Sequence, residues 1–489
     1  MALEVGNQKQ YFTDWRWVQG GWISFDPRRG HHGGVPWGVP SGVKLVAERA
    51  EKSRPWMKAD RPWELAVHGY HTVIHEGGKY RFWVETLHPR GKDGWNSLCY
   101  AESDNGYDWV KPELGPTPFR GDGGEESRDN NIVFNETTNG GYPYSGGTVF
   151  KDPSCASDER YKLIYLTWAG PRPQVRGAVS ADGIRWVPID QPLLHGYCSD
   201  TQTTAYYDTR LACYVAYLRY WSAGCWFIDE ATWEGSQSGR RQIARAVSSD
   251  FGSWSDPEPV LSLGVAHHPS HDLYTNAHIL YQDDVHFMFP AQYDREKDTT
   301  EVYLATSRDG IRWEYFGDSP VVPVGEPGSG EEGQIYAGCG LVPLGADKTA
   351  LPYFGTPFPH NNYDPYHRDQ GASRECGQLA WAIWDRDRLV AVQAEGEGRF
   401  TIPPVFVRGN RLLLNVSTGA AGEVRVQLKD QSGEVIPGRT LSDCESITGD
   451  CPKAVVTWKG RFDLSDLSGK PVQVEIRARA AKLYTFQFG

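Results

Sequence analysis

The sequence lacks the features that would place the protein in a membrane or on nucleic acid. No apolar run approaches the roughly 18 residues of a membrane-spanning helix. Lys and Arg number 50 against 62 Asp and Glu, which gives a net charge of −12, and no basic stripe offsets this excess. Because an acidic surface repels phosphate backbones and anionic lipids, we predict neither a nucleic-acid nor a membrane partner.

Closely spaced metal-binding cysteines are also absent. The nine cysteines include no CxxC pair, and structural zinc sites depend on such spacing. Cys444 and Cys451 flank a short loop and are the pair that the spacing would allow to bridge. We expect the other cysteines to be buried thiols. The sequence therefore predicts no zinc site and no cofactor.

A signal peptide is not visible at the start of the sequence. Residues 1–15 have neither the basic nor the apolar region that such a peptide needs. We therefore expect a cytoplasmic protein, or a periplasmic or secreted one if a signal peptide precedes this sequence.

A seven-residue motif recurs in four copies. SADGIRW begins at Ser180 and SRDGIRW at Ser307, with looser copies SDNGYDW from Ser103 and SSDFGSW from Ser248. Each copy follows a run of β-forming residues, and two further strand candidates precede that run. The central Asp or Asn with Gly is typical of a tight turn. The motif therefore predicts the turn before the last strand of a four-stranded antiparallel unit, which is a structural role.

Four such units, and a fifth that lacks the full motif, predict the fold class. Helical periodicity is almost absent, and sheets of four strands arranged radially make a β-propeller. After about residue 390, short alternating strands with Gly-containing turns indicate a β-sandwich. We predict an all-β protein with an N-terminal segment packing on the propeller (1–60), a five-bladed β-propeller with the catalytic pocket (61–389) and a C-terminal β-sandwich (390–489).

Side chains at or just before the first strand of each unit should converge at one mouth of the propeller channel. Four of the five units place a carboxylate there: Glu64, Asp200, Asp272 and Glu332. Glycoside cleavage uses paired carboxyl groups, one as acid and one as nucleophile or base. Acids that share one mouth would raise some of their pKa values and leave a proton donor. We predict these four as catalytic residues, with Asp200 and Asp272 as the first pair.

Aromatic, amide and imidazole side chains near the same mouth are suited to stacking on a sugar or bonding its hydroxyls. The predicted substrate-binding residues are Trp63, His71, Gln202, His271, Tyr274, Asn276, Gln334 and His360. Three alternatives stay open at this point: a polysaccharide lyase that uses His and Tyr as base and acid, a non-catalytic carbohydrate-binding propeller, and a structural Ca²⁺ held by some of the carboxylates. The sequence makes no prediction of oligomeric state.

Longer phrases around the motif resemble a known superfamily. YAESDNGYDWVKPELG, RDNNIVF, VSADGIRW and ATSRDGIRWEYF look like bacterial proteins related to glycoside hydrolase families 32 and 43. The resemblance implies a five-bladed propeller, a C-terminal sandwich as in family 32, and retaining or inverting hydrolysis of furanosides or related sugars. The family-32 phrases of the WMNDPNG, RDP and Glu-Cys type are missing. The four catalytic candidates therefore rest on repeat position and not on the family.

Overall fold

The computed structural model describes residues 2–25, 34–87, 96–120, 125–169, 172–222, 239–282, 284–361 and 377–489. Within these ranges the regular structure is β-strand, apart from three short 3-10 helices at Trp15–Trp17, Ser157–Glu159 and Ser465–Leu467. None of the described helices is long and apolar enough to span a bilayer. Internal contacts divide the chain into two compact units, residues 49–386 and residues 1–48 with 387–489. The predicted all-β class is confirmed.

The N-terminal strands do not all belong to one sheet. They are β1 (Gln10–Tyr11), β2 (Trp22–Phe25), β3 (Gly34–Trp37) and β4 (Lys44–Ala47). β2 and β3 pair with each other, whereas β1 and β4 are hydrogen-bonded to the sheet of the C-terminal unit. The boundary between the two units therefore lies near residue 48 and not at the predicted residue 60, because β1 and β4 pair with strands of the C-terminal unit.

The unit 49–386 begins with a short strand and two complete sheets. The first strand is β5 (Glu51–Lys52). Blade 1 contains β6 (Ala66–Glu76), β7 (Lys79–Leu87), β8 (Ser97–Ser103) and β11 (Ile132–Phe134), with a separate two-stranded sheet of β9 (Phe119–Arg120) and β10 (Glu126–Ser127) inserted before the last strand. Blade 2 contains β12 (Ser145–Lys151), β13 (Tyr161–Ala169), β14 (Arg172–Ser180) and β15 (Val187–Pro188), with β16 (Leu194–His195) also on β14.

The remaining sheets of this unit follow the same order with one irregularity. Blade 3 contains β17 (Thr204–Asp208), β18 (Cys213–Trp221), β19 (Arg241–Ser248) and β20 (Glu258–Leu261). Blade 4 has an inner part, β21 (His271–Thr275), β24 (Ala291–Asp294) and β25 (Thr299–Val302), and an outer part, β22 (His278–Gln282), β23 (Val285–Met288), β26 (Leu304–Ser307) and β27 (Glu314–Phe316). Blade 5 contains β28 (Gln334–Ala337), β30 (Lys348–Thr356) and β31 (Gln378–Asp385), with β29 (Val342–Leu344) on β30.

The five blades form a closed ring. β6 lies beside β12, β12 beside β17, and β19 beside β21. β25 pairs in parallel with β28, and β28 lies beside β6 again. After β28, the Cys339 amide donates to His71 O at 2.9 Å, and the Val73 amide donates to Cys339 O at 2.8 Å. Over the described residues the sheets thus make the predicted five-bladed propeller, and β5 supplies the outer strand of blade 5 through its pairing with β31.

The seven-residue motif is the turn that follows the third strand of its sheet in blades 1 to 4. In blades 2 to 4 it leads to the last strand, as predicted, whereas in blade 1 β9 and β10 come before the last strand, β11. In every copy the oxygen of its third residue accepts two backbone N–H bonds of 2.8–2.9 Å. The fourth residue has positive φ: Gly106, Gly183, Phe251 and Gly310. The first Ser accepts a further backbone bond. The Ser side chain and the Asp or Asn side chain of each motif therefore stabilise the turn.

Gly183 is a position at which a side chain should weaken the fold. Its φ is +75°, and a Cβ would lie 2.7 Å from Cζ2 of the buried Trp83. Gly183→Ala should lower the free energy of unfolding by about 3 kcal/mol, from strain and overpacking together. Gly78 has a φ of +79° with open space around it, so Gly78→Ala should cost only about 1 kcal/mol. Urea unfolding of both variants tests this, and equal losses would contradict the role given to Trp83.

The C-terminal unit is the β-sandwich. Its long strands are β32 (Val390–Phe406), β33 (Leu412–Lys429) and β35 (Pro471–Phe488), with β34 (Asp450–Val455) at one edge. The sheet order is β34-β33-β35-β32-β4, with β1 on β35. Alternate residues of β33, Val424, Val426 and Leu428, are buried with Phe12 and Trp17 from the N-terminal segment. The alternating pattern therefore buries one face of each strand.

Cys444 and Cys451 are both free thiols in this unit. The Cys444 sulfur instead accepts a hydrogen bond from the Val426 amide at 3.2 Å. The loop between them is therefore not closed by a disulfide.

Candidate active site at the propeller axis

Gln202 closes the centre of the propeller by joining three blades. Its Nε2 donates to Asn276 O at 2.7 Å and to Ala337 O at 3.1 Å, and its Oε1 accepts from the His71 amide at 3.2 Å. Gln202, His71 and Asn276 are all at most 1% exposed. These three predicted substrate-binding residues do lie together, but as a buried floor beneath the mouth, because the Gln202 amide is used within the protein.

Side chains from four blades meet beside this floor. We call them the axial cluster: Tyr70, Asp200, Arg219, Tyr274, Tyr336 and His360. The Arg219 guanidinium carbon lies 4.4 Å above the Tyr274 ring, whose centre is 5.7 Å from that of Tyr336 and 4.5 Å from that of His360. Asp200 Oδ2 is 3.7 Å from Arg219 Nη1. The cluster therefore combines aromatic faces, a buried cation and a carboxylate.

Asp200 differs from the other three predicted acids in its exposure. Its side chain is 59% exposed although its neighbours Arg219 and Tyr70 are buried. Burial, followed by the charges of Tyr274 and Asp200, raises the pKa of the Tyr70 phenol far above its usual range. Asp200 can thus reach solvent and a ligand, and Tyr70 remains a protonated phenol beside it.

His360 is a neutral imidazole in the cluster. Burial, with Arg241 and Arg219 nearby, lowers its pKa to about 4. Its Nδ1 lies 3.1 Å from Gln334 Oε1, which also accepts from the Tyr336 hydroxyl at 2.6 Å. Gln334 Nε2 donates to Phe358 O, which fixes the amide orientation. The imidazole proton therefore lies on Nδ1, and Nε2 carries a lone pair that can accept a proton.

Because His360 is neutral in the folded protein, the free energy of unfolding should fall as the pH is lowered into the weakly acidic range. Its folded pKa of about 4 is below the ordinary histidine value of 6.5, so the unfolded chain takes up the proton first as the pH falls. The stabilising contribution is full above pH 6.5 and is lost as the pH falls toward 4. His360→Asn should reduce the slope of unfolding free energy against pH in this window, by at most about 1.4 kcal/mol per pH unit. Urea unfolding across this window tests this, and an unchanged slope would contradict it.

Asp272 lies next to the axial cluster, but its carboxylate is already hydrogen-bonded to two arginines of the protein. Its carboxylate accepts from Arg241 Nη1 and Arg295 Nε, both at 2.8 Å, and from the Arg241 amide at 2.9 Å. Its side chain is 0% exposed. Asp272 therefore neutralises and positions Arg241, which packs over the Tyr274 ring at 5.0 Å, and its catalytic role stays a prediction. His271, beside it, is 3.7 Å from Asp294 instead of pointing to the cluster residues.

Glu64 and Glu332 are also occupied within the protein. Glu64 is 1% exposed and pairs with Lys111 at 2.7 Å. Glu332 accepts from the amides of Gly328 and Gly330 and so closes its own loop. Trp63 donates to Asn131 Oδ1 at 2.8 Å. Each of these residues thus has a hydrogen-bond or ion-pair partner within the protein, and their roles at the mouth stay predictions.

Three members of the axial cluster were not among the predicted site residues: Tyr70, Arg219 and Tyr336. Arg219 is the one charged residue in the apolar strand CYVAYLRYW, and a buried charge in such a run is itself a functional signal. Another buried acid, Glu85, lies between blades 1 and 2, where it accepts from Asn96 Nδ2 at 2.6 Å and from the Gly146 amide at 2.7 Å. That strand was predicted, but its acid was not singled out.

The described side chains bring together no three His, Cys, Asp or Glu groups that could hold a metal ion. Three of the four predicted acids, Glu64, Asp272 and Glu332, are directed at cations or amides of the protein. A structural Ca²⁺ held by some of the carboxylates stays a prediction.

Comparison with known proteins gives structural likenesses only. Neither a protein-family model nor a curated protein matches the chain. An N-acetylgalactosamine deacetylase from F. plautii, in complex with blood group B trisaccharide, is 16% identical with a TM-score of 0.48, over 71% of this chain and 96% of that one. A putative glycosidase from Bacteroides thetaiotaomicron is 13% identical with a TM-score of 0.45, over 70% and 97%.

A larger share of the chain aligns with a third structure. This is a family 43 arabinoxylan arabinofuranohydrolase from Bacillus subtilis, in complex with cellotetraose, 9% identical with a TM-score of 0.39 over 88% of this chain and 96% of that one. At identities of 9–16% and TM-scores of 0.39–0.48, these likenesses assign neither a substrate nor a reaction to this chain.

Proposed function

We propose that the protein is a glycoside hydrolase that cleaves a carbohydrate at the axial cluster, with Asp200 as a proton-transferring carboxylate. The observation that carries this proposal is the exposure of Asp200. Among the four acids predicted from the repeats, it is the one whose carboxylate is mainly exposed and lies beside aromatic faces. Carboxylates next to stacked aromatic rings are the groups that glycoside cleavage requires.

Each member of the cluster has a part in this proposal. Tyr70 and Tyr274 offer rings and hydroxyls to a sugar, and the floor formed by Gln202 limits how deep the sugar enters. Hydrolysis needs a second group to complete the proton transfers. Neutral His360, with its Nδ1 held by Gln334 at 3.1 Å, can accept a proton on Nε2. The Tyr70 phenol stays protonated, because burial raises its pKa well above the usual range, and it is the group from which a proton can come.

The same His and Tyr groups favour a second candidate, a polysaccharide lyase. In that reaction a base removes the proton next to a uronate carboxylate, and an acid protonates the leaving oxygen. His360 Nε2 would be the base and a cluster phenol would be the acid. The neutral state of His360 supports this candidate, because a protonated imidazole could not act as the base.

Digestion of a glycan panel in heavy-oxygen water, followed by mass spectrometry, tests both candidates. The panel contains neutral and acidic oligosaccharides with furanose and pyranose linkages. Hydrolysis places one heavy oxygen in a product, whereas elimination places none and leaves an unsaturated sugar that absorbs ultraviolet light. Binding without cleavage would contradict the enzyme proposal and leave a carbohydrate-binding propeller.

A further inference from the structure

Arg219 is a buried cation whose hydrogen bonds are incomplete. Its residue exposure is 3%, and a guanidinium carries five N–H donors. Nη2 donates to Tyr274 O at 3.0 Å. Nε is buried and has no acceptor among the described residues. Nη1 is 3.7 Å from Asp200 Oδ2, which exceeds a hydrogen-bond distance.

Such an arrangement is costly unless a ligand completes it. Removing a guanidinium from water is unfavourable when its donors and its charge are not satisfied. The neighbouring Arg241 also has a buried Nε without an acceptor among the described residues, but its charge is paired, because Asp272 accepts from its Nη1 at 2.8 Å. Both guanidinium groups pack over the Tyr274 ring, at 4.4 and 5.0 Å. Arg219 is therefore the cation in the cluster that is still available to an anion.

The position of Arg219 indicates which kind of ligand would carry the anionic group. It lies in the axial cluster, where the aromatic faces and exposed Asp200 would meet a sugar ring. A planar guanidinium binds an oxyanion through two parallel N–H bonds. We infer that Arg219 binds an acidic group on the substrate, so that the protein acts on a sugar that bears a carboxylate or a sulfate. This inference rests on the proposed function, and it names the substrate class.

The test compares matched acidic and neutral ligands. Oligogalacturonides and glucuronate oligosaccharides are measured against their methyl esters, and a sulfated oligosaccharide forms a separate arm. For the wild-type protein, the free acid or the sulfate should bind at least about 10-fold more tightly than the neutral ligand. The ligand that binds most tightly identifies the acidic group. A site for a carboxylate should bind the methyl esters less tightly than the free acids, whereas a site for a sulfate should bind the sulfated oligosaccharide and not the uronates.

Variants of Arg219 assign the preference to this side chain. Arg219→Gln should lower the affinity for the acidic ligand relative to that for the neutral ligand by about 10- to 100-fold. Arg219→Lys should retain part of the preference, because it keeps the charge and loses the planar fork. Arg219→Met keeps an apolar stem of similar length in case Gln destabilises the fold. Arg176, which packs over Tyr142 at 4.7 Å in blade 2, is the control, and Arg176→Gln should change neither affinity.

Outcomes separate this inference from the proposed function. Tight binding of an acidic ligand without cleavage supports the anion site and contradicts the enzyme. Cleavage of neutral glycans with no preference for acids contradicts the anion site and supports the enzyme. Equal binding of acid and ester by the wild-type protein, with no binding of the sulfated ligand, overturns the inference. An unchanged preference in folded Arg219→Met, verified by thermal unfolding, overturns it as well.

Discussion

Asp200→Asn should lower turnover by at least about 100-fold on whichever glycan the wild-type protein cleaves. Asn keeps the size of the side chain and removes its ability to exchange a proton. Asp200 is 59% exposed and lies 3.7 Å from Arg219, so water screens this pair and the free energy of unfolding should fall by no more than about 1 kcal/mol. Steady-state kinetics and thermal unfolding of the purified variant measure the two effects separately.

The matched control for Asp200→Asn is Asp104→Asn. Asp104 is 87% exposed on the turn after β8 and lies 3.8 Å from Lys79, so its replacement should alter neither turnover nor stability. If Asp200→Asn keeps wild-type turnover on the same glycan, Asp200 has no part in proton transfer. The proposed hydrolytic site would then have to use a different acid.

Asp272→Asn should lower the free energy of unfolding by about 3 kcal/mol. The substitution would leave Arg241, which is 18% exposed, without its carboxylate, and Arg295 would lose the same partner. Arg295 is 40% exposed, so water compensates it in part. Urea unfolding of the variant measures the loss.

The two aspartates thus have opposite expected signatures. Asp200→Asn should impair turnover in a stable protein, whereas Asp272→Asn should weaken the fold. A stable Asp272→Asn variant with turnover reduced as strongly as that of Asp200→Asn would contradict the structural role of Asp272. It would restore the pair of carboxylates predicted from the repeats.

The repeats predicted the sheets because their signal is local. Each motif turn is built from side-chain bonds that span three residues or fewer, as at Asp182 and Asp309. The division of blade 4 into inner and outer parts was not predictable from alternation alone. Pro290, between β23 and β24, has no N–H to donate to a ladder, which accounts for the interruption on that segment.

The candidate site was predictable only by position along the chain. Asp200, Tyr274, Gln334 and His360 were singled out, and the structure brings them to one place. The cations that occupy the other acids come from distant segments: Lys111 lies 47 residues after Glu64, and Arg241 31 residues before Asp272. Pairings over such separations depend on how the sheets pack, which the repeat spacing does not encode.

The last blade is completed by residues that precede the first one. Glu51 and Lys52 hydrogen-bond to Ile383 and Ala382, so the two ends of the propeller unit are fastened together across one sheet. Loss of this short segment would leave β31 as an open edge, and open edges recruit strands from other molecules. Neither end of the propeller unit can therefore detach without unpairing β5 from β31 in blade 5. Removing β5 from the N-terminal side should favour aggregation and not a smaller propeller.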